Sequence, residues 1–197
     1  MKYHPRTVQT TWRSPLGSMI IAASPMGLCG VWFTDQRHLP PDTVLARWPH
    51  KPAHAVLRLA VAQMTAYFKG RGQFDLPLDL GAGTAFQQSV WQALLRIPSG
   101  QTTSYGAISQ QINNPKAARA VGAAVGRNPV GIVVPCHRVL GADGSLTGYA
   151  GGLSRKGTLL KLENVFTFAD GRAPPHLFPS HPGQSNCGAQ KALPFPV

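Results

Sequence analysis

Cys136 stands between Pro135 and the pair His137-Arg138, directly after the apolar run Val130-Gly131-Ile132-Val133-Val134. A thiol becomes a nucleophile when its thiolate is favoured, and nearby positive charge or a basic imidazole does that. The imidazole then needs a group, usually a carboxylate, to fix its tautomer and take up charge. Glu163 is the only glutamate in the chain, and it follows a flexible Gly148-Tyr149-Ala150-Gly151-Gly152 segment that could let it fold back toward Cys136. Each residue also has a plainer reading. A cysteine is ordinarily a small buried hydrophobe, a helical glutamate is ordinarily solvated, and neighbours on a strand point to opposite faces. Spacing alone therefore reaches a candidate cysteine nucleophile and no further.

The elements that must position these groups are partly legible. Ser14-Pro15-Leu16-Gly17 reads as a turn, and the apolar runs 18–23 and 28–33 flank a Ser-Pro-Met-Gly turn as a hairpin. Residues 52–69 have helical spacing, with Leu57, Val61, Met64 and Phe68 on one face and Gly70 as the stop. Residues 71–83 read as a connection. Thr84-x-x-Gln87 is a capping-box pattern ahead of a helix whose apolar face is Phe86, Val90, Leu94 and Leu95. Two short helices follow, over 104–112 and 115–126, with Asn113-Asn114-Pro115 as the N-cap of the second. Helix, tight turn, helix is the outline of a helix-turn-helix. The second helix is thin, being built largely of Ala and Gly. That suits close packing against a neighbour or entry into a narrow groove. Residues 130–134 read as a strand and 154–166 as a last helix.

Composition narrows the class. The chain has 197 residues, 19 Lys+Arg against 7 Asp+Glu, and a net charge of +12, which favours a phosphate-bearing partner. Nucleic acid is the first expectation and an anionic membrane the second. No apolar run approaches the roughly 18 residues of a membrane span, and the N-terminus does not read as a signal peptide. Cys29, Cys136 and Cys187 form no CxxC pair, which suggests a reducing compartment and no disulfide framework. No P-loop or dinucleotide fingerprint is present, so no cofactor is expected. Residues 167–197, with six prolines, read as an extended or disordered tail.

Residues 84–166 resemble the catalytic domain of the methylated-DNA–protein-cysteine methyltransferases, the 6-O-alkylguanine-DNA alkyltransferases. The resemblance rests on Phe86-x-x-x-Val90-Trp91, Ile97-Pro98-x-Gly100, Ser104-Tyr105-Gly106, Ala117-Ala118-Arg119-Ala120-Val121-Gly122, Asn128-Pro129, Pro135-Cys136-His137-Arg138-Val139 and Gly148-Tyr149-Ala150-Gly151-Gly152, in that order. Ser14-Pro15-Leu16-Gly17 resembles the start of the family's N-terminal domain. The resemblance implies a ribonuclease H-like α/β domain over 1–83, with a small antiparallel sheet and helices. It implies a mainly α, winged-helix-like domain with a helix-turn-helix over 84–166.

It also implies roles. Cys136 matches the acceptor thiol, His137 the residue that deprotonates it through a water, Glu163 the carboxylate behind that histidine, and Asn128 the brace of the cysteine segment. Tyr105 matches the tyrosine that helps rotate the nucleotide out and contacts the guanine. Val139, Tyr149 and Ala150 match the pocket around the flipped base. Arg119 matches the arginine that fills the vacated place in the duplex, with Asn114, Ala118 and Arg127 beside the DNA. The implied reaction is a single, irreversible transfer of the alkyl group from 6-O-methylguanine, and from 4-O-methylthymine, to Cys136. The implied partner is double-stranded DNA, and the protein is expected to be a cytoplasmic monomer (nuclear in a eukaryote). Pro5, Ser24 and Cys29 fall where some relatives bind zinc, so no metal is expected. Two rivals remain: a damage-binding module of the alkyltransferase-like kind, which lacks the cysteine, and a cysteine hydrolase.

Overall fold

The computed structural model describes residues 1–71 and 73–165, so expectations at Gly72, Cys187, Phe166 and the 167–197 tail lie outside the described residues. The N-terminal half is an antiparallel sheet of order β1-β2-β3, formed by β1 (Val8–Ser14), β2 (Gly17–Ser24) and β3 (Gly27–Phe33). The expected hairpin is β2–β3, closed where Ser24 pairs with Gly27. Gly27 has φ +142°, and a Cβ there would collide with the Pro77 carbonyl, so only glycine fits. The sequence reading assigns no strand to β1, whose polar Gln-Thr-Thr centre hides its alternation; pairing with β2 from Val8↔Ala23 to Ser14↔Gly17 makes it a strand.

Beside the sheet lie α1 (Asp42–Leu45) and α2 (Ala55–Phe68). The buried face of α2 is Leu57, Ala60, Met64 and Tyr67, one position off the expected face of Leu57, Val61, Met64 and Phe68. The cause is Tyr67, whose hydroxyl finds a buried partner described below. Gly70 ends the helix with φ +70°, as expected.

The C-terminal half begins with α3 (Ala85–Leu95). Its reciprocal Thr84–Gln87 capping box forms as the spacing predicts. The buried face is Val90, Trp91, Ala93 and Leu94, while Leu95 remains 37% exposed. The Trp91 indole donates to the Ala124 carbonyl at 2.9 Å, joining α3 to α5 (Ala118–Gly126). Between them lie β4 (Thr103–Ser104) and α4 (Tyr105–Gln111).

The expected N-cap at Asn113-Asn114-Pro115 is incorrect. Asn113 takes φ +56°, its N–H donates to Gln110 O, and the Asn114 N–H donates to Ser109 O. That double closure ends α4. The second helix starts only at Ala118, without a side-chain cap.

The expected strand over 130–134 is also incorrect. Ile132 sits at φ +71°, which turns the chain back on itself, and Val134 N–H donates to Val130 O. This turn hooks onto β3: Val31 N–H donates to Pro129 O, and Gly131 N–H donates to Val31 O. Cys136–Arg138 form a single 3-10 turn, and β5 (Val139–Leu140) then pairs in parallel with β4. The last helix, α6, is Leu153–Leu162, shorter than the expected 154–166. Asn164 at φ +60° stops it, leaving Glu163 as the C-cap.

Candidate active site

Three turns bring the chemistry together. The first carries Cys136 and His137. The Cys136 N–H donates to Val134 O at 2.8 Å, and the Asn128 amide donates to the same carbonyl at 2.7 Å while accepting from Val130 N–H at 3.0 Å. Asn128 thus ties both ends of the 130–134 turn that delivers the cysteine. The second is the end of α6. Asn164 N–H closes on Lys161 O and Val165 N–H on Leu160 O, which fixes Glu163. The third is the end of α2, which presents Tyr67.

His137 is fully buried, and its Nε2 lies 2.8 Å from Glu163 Oε1. With Glu163 ionised, Nε2 is the protonated nitrogen and Nδ1 the basic one. Nδ1 has no protein partner among the described residues. Glu163 is surrounded by donors. Oε1 also accepts from Tyr67 Oη at 2.7 Å and from Arg138 Nη2 at 2.8 Å, and Oε2 accepts from Arg138 Nε at 2.8 Å. Arg138 also donates through Nη1 to the Ile97 carbonyl. Burial would raise the carboxyl's pKa, yet the bonds from His137 and Arg138 outweigh it and hold the group well below the usual carboxylate range. Burial lowers the pKa of His137, and the Glu163 bond only partly offsets it, so the ring is neutral near pH 7.

Cys136 is 5% exposed. Burial pushes its thiol up, against the pull of the Asn128 amide, the Lys156 charge and the N–H groups of the turn. Lys156 is fully buried on α6 and donates to the Val139 and Thr147 carbonyls. Burial, partly countered by Cys136, brings its pKa down to about 8.

The remaining expected pocket residues gather nearby. Val139 is fully buried, immediately after the cysteine turn. Burial and the Cys136 charge raise the Tyr149 phenol well above its ordinary value. Ala150 O accepts from Arg37 N–H at 3.1 Å, so the turn after β3 holds this loop. Tyr105 opens α4, and its hydroxyl donates to the Thr147 and Gly148 carbonyls at 3.3 and 3.4 Å. Arg119, Asn114 and Arg127 are exposed and Ala118 is half-buried. The outer face of α5 carries Arg119, Ala120 and Ala123, while Val121, Ala124 and Val125 point inward. The thin helix therefore does both things its composition allows: it packs closely on one side and offers a low-relief, arginine-bearing surface on the other. Arg127 is eight positions along from Arg119, about 12 Å by helical rise, and lines the same cavity as Lys2 and Tyr3.

The sequence reading missed Tyr67, Lys156 and Asn164, and gave Arg138 no role at Glu163. Arg138 was findable from its place beside His137. Tyr67, 96 positions from Glu163, carries no such signal. Among the described residues, no group of three or more His, Cys, Asp or Glu could hold a metal ion, and no helix is long and apolar enough to cross a membrane.

A buried cysteine beside a histidine–carboxylate pair, held between a small α/β domain and a helical one, defines the class of proteins built around a cysteine nucleophile. Comparison sharpens the class. Residues 7–80 match the family described as 6-O-methylguanine DNA methyltransferase, ribonuclease-like domain, and residues 85–165 match its DNA binding domain. A methylated-DNA–protein-cysteine methyltransferase of Mycobacterium leprae is 50% identical over 151 residues, 76% of this chain and 88% of the relative. The protein of the same name from Haemophilus influenzae is 41% identical over 162 residues, 79% of this chain and 86% of the relative. The crystal structure of Mycobacterium tuberculosis OGT in complex with DNA aligns with a TM-score of 0.70 at 46% identity, covering 86% of this chain and 96% of that one. The chain belongs to the 6-O-methylguanine DNA methyltransferase family.

Proposed function

We propose that the protein repairs DNA by moving the alkyl group of 6-O-methylguanine onto Cys136, once per chain. The observation that carries this is the state of His137. Its Nε2 is committed to Glu163, its Nδ1 has no protein partner, and Cys136 is the adjacent residue in the same turn. Nδ1 takes the thiol proton through a water, and Glu163 stabilises the imidazolium. The thiolate attacks the methyl carbon, a C–S bond forms, and the bond from that carbon to guanine O6 breaks. The departing guanine is stabilised by a hydrogen bond or a proton from the Tyr105 hydroxyl, and the thiol's proton, released from His137 to solvent, closes the proton balance. Burial, the largest influence on that phenol, raises its pKa and keeps it protonated. The thioether offers water no activated carbonyl, so no turnover step follows.

The alkylated oxygen lies inside the duplex, so the nucleotide must be rotated out, at roughly a few kcal/mol. Arg119, exposed on the low-relief face of α5, fills the gap. Val139, Tyr149 and Ala150 line the receiving pocket, and Asn114, Ala118 and Arg127 lie on the DNA side. The relative solved in complex with DNA supports DNA as the partner. 4-O-methylthymine is a second substrate by the same displacement, and the protein acts as a monomer inside the cell.

The deciding experiment is intact-mass measurement after incubation with duplex DNA containing 6-O-methylguanine. One methyl group is gained per chain, and excess DNA adds no more. An unchanged mass overturns the reading and leaves a damage-binding module; continued turnover of an activated ester points to a hydrolase.

A further inference from the structure

The chemistry above runs through residues of the C-terminal half, yet one donor on Glu163 comes from the N-terminal half. Tyr67 closes α2, and its hydroxyl donates to Oε1, the oxygen that also faces His137 Nε2. We propose that Tyr67 is a positioning residue for alkyl transfer, setting the basicity of His137 through the carboxylate oxygen they share. The proposal rests on the function proposed above.

Geometry gives Tyr67 this leverage. Arg138 grips both oxygens of Glu163, but Oε1 receives three donors: His137, Arg138 and Tyr67. Each donor draws charge from that oxygen and weakens its hold on the others. With Tyr67 donating, Oε1 stabilises the imidazolium less, and His137 stays neutral to a lower pH. Without it, Oε1 binds the ring N–H more strongly and His137 becomes more basic.

The ring itself is locked. Tyr67 is 8% exposed, lies 5.5 Å from the Phe68 ring and 5.3 Å from the Phe74 ring, and so cannot turn its hydroxyl to water cheaply. Burial and the Glu163 charge raise its pKa, which keeps the phenol a donor over the working range. The other charged or titratable groups facing this cluster are Arg138 at Glu163, Lys156 toward His137 and Cys136, Cys136 itself, and Tyr149. All of them keep their side chains in Tyr67→Phe; Arg138, which shares Oε1, gains part of the freed charge, and the remainder goes to the His137 ring N–H.

The test is the pH profile of methyl transfer from 6-O-methylguanine DNA, single turnover, for the full chain and Tyr67→Phe. Transfer fails at low pH where His137 is protonated, so the acid limb reads its basicity. Tyr67→Phe keeps the ring packing and should move that limb up by about half to one pH unit, alongside a fall in melting temperature from the lost bond to a buried charge. Tyr67→Met, which also lacks a donor, should displace it the same way. Nitrogen-15 NMR titration of the His137 ring reads the same shift without DNA. An acid limb and ring titration that stay in place overturn the proposal, whether or not the melting temperature falls. If the parent chain gains no methyl group, the function reading fails, and the ring titration alone still decides the role of Tyr67.

Discussion

A single carboxylate gathers the side chains of the candidate site. Glu163 receives His137, Arg138 and Tyr67, and each contact constrains what His137 can do. Glu163→Gln keeps the shape but removes the charge behind the imidazolium, so single-turnover methyl transfer should slow by about 10²-fold or more. Its affinity for undamaged duplex should stay close to that of the parent chain. Cys136→Ala should gain no methyl mass while still binding DNA; a collapse of affinity would make the cysteine structural. Arg119→Ala should slow transfer from duplex far more than transfer from free 6-O-methylguanine base, because only the duplex has a gap to fill. Equal slowing of both would refute that role.

At the scale of elements, function depends on how short segments end. Asn128 gives the buried Val130 N–H its acceptor and gives the buried Val134 O a second donor beside Cys136 N–H. Asn128→Ala should cost about 1–3 kcal/mol in chemical denaturation and slow transfer with it. Asn164 supplies the left-handed residue that aims Glu163, so Asn164→Ala should cost about 1 kcal/mol and Asn164→Gly should be nearly neutral. The same endings explain what the sequence could and could not reveal. The Thr84–Gln87 box and the stop at Gly70 are local bargains between near neighbours, so they were readable. The β-branched run around Ile132 predicts a strand because such runs ordinarily extend; its turn is imposed from outside, by β3. Asn113 looked like the start of a helix but closes the previous one, since an asparagine suits either place. Cys136, His137 and Glu163 stand out in the sequence as candidates, by adjacency and by the rarity of glutamate, while Asn128 enters only as what the family resemblance implies; the structure sets Glu163 against His137 and Asn128 against the turn before Cys136. Tyr67 does not stand out, because its partner lies 96 residues away and a helical aromatic looks like core.

At the scale of the whole molecule, charge and pH come forward. The net charge of +12 belongs to a surface that should meet phosphate, so affinity for duplex should fall linearly as log K against log salt. A flat line would refute the DNA-facing reading. Stability should also depend on acid. Glu163 is held far below its unfolded value, so between the two values the unfolded chain binds the extra proton. Its stabilisation is complete above about pH 5 and is lost progressively below about pH 4. His137, lowered by burial, adds a further loss below about pH 6.5 in both the parent and Glu163→Gln. Because Glu163 holds the His137 value up, Glu163→Gln loses more than the parent between about pH 6.5 and pH 5, so the melting-temperature gap should be largest in that range and close as pH falls below about 4. A gap that holds constant would mean Glu163 contributes by shape alone.

Cys136, 5% exposed and with its thiol pushed up by burial, has one more consequence. A protein that can act only once is used up by any wrong reaction as surely as by the right one. Peroxides, stray electrophiles and other thiols all compete for thiolate in water. Keeping the sulfur protonated and walled in gives the resting protein a shelf life. The proton has to leave only when a base occupies the pocket and the damage is already in place.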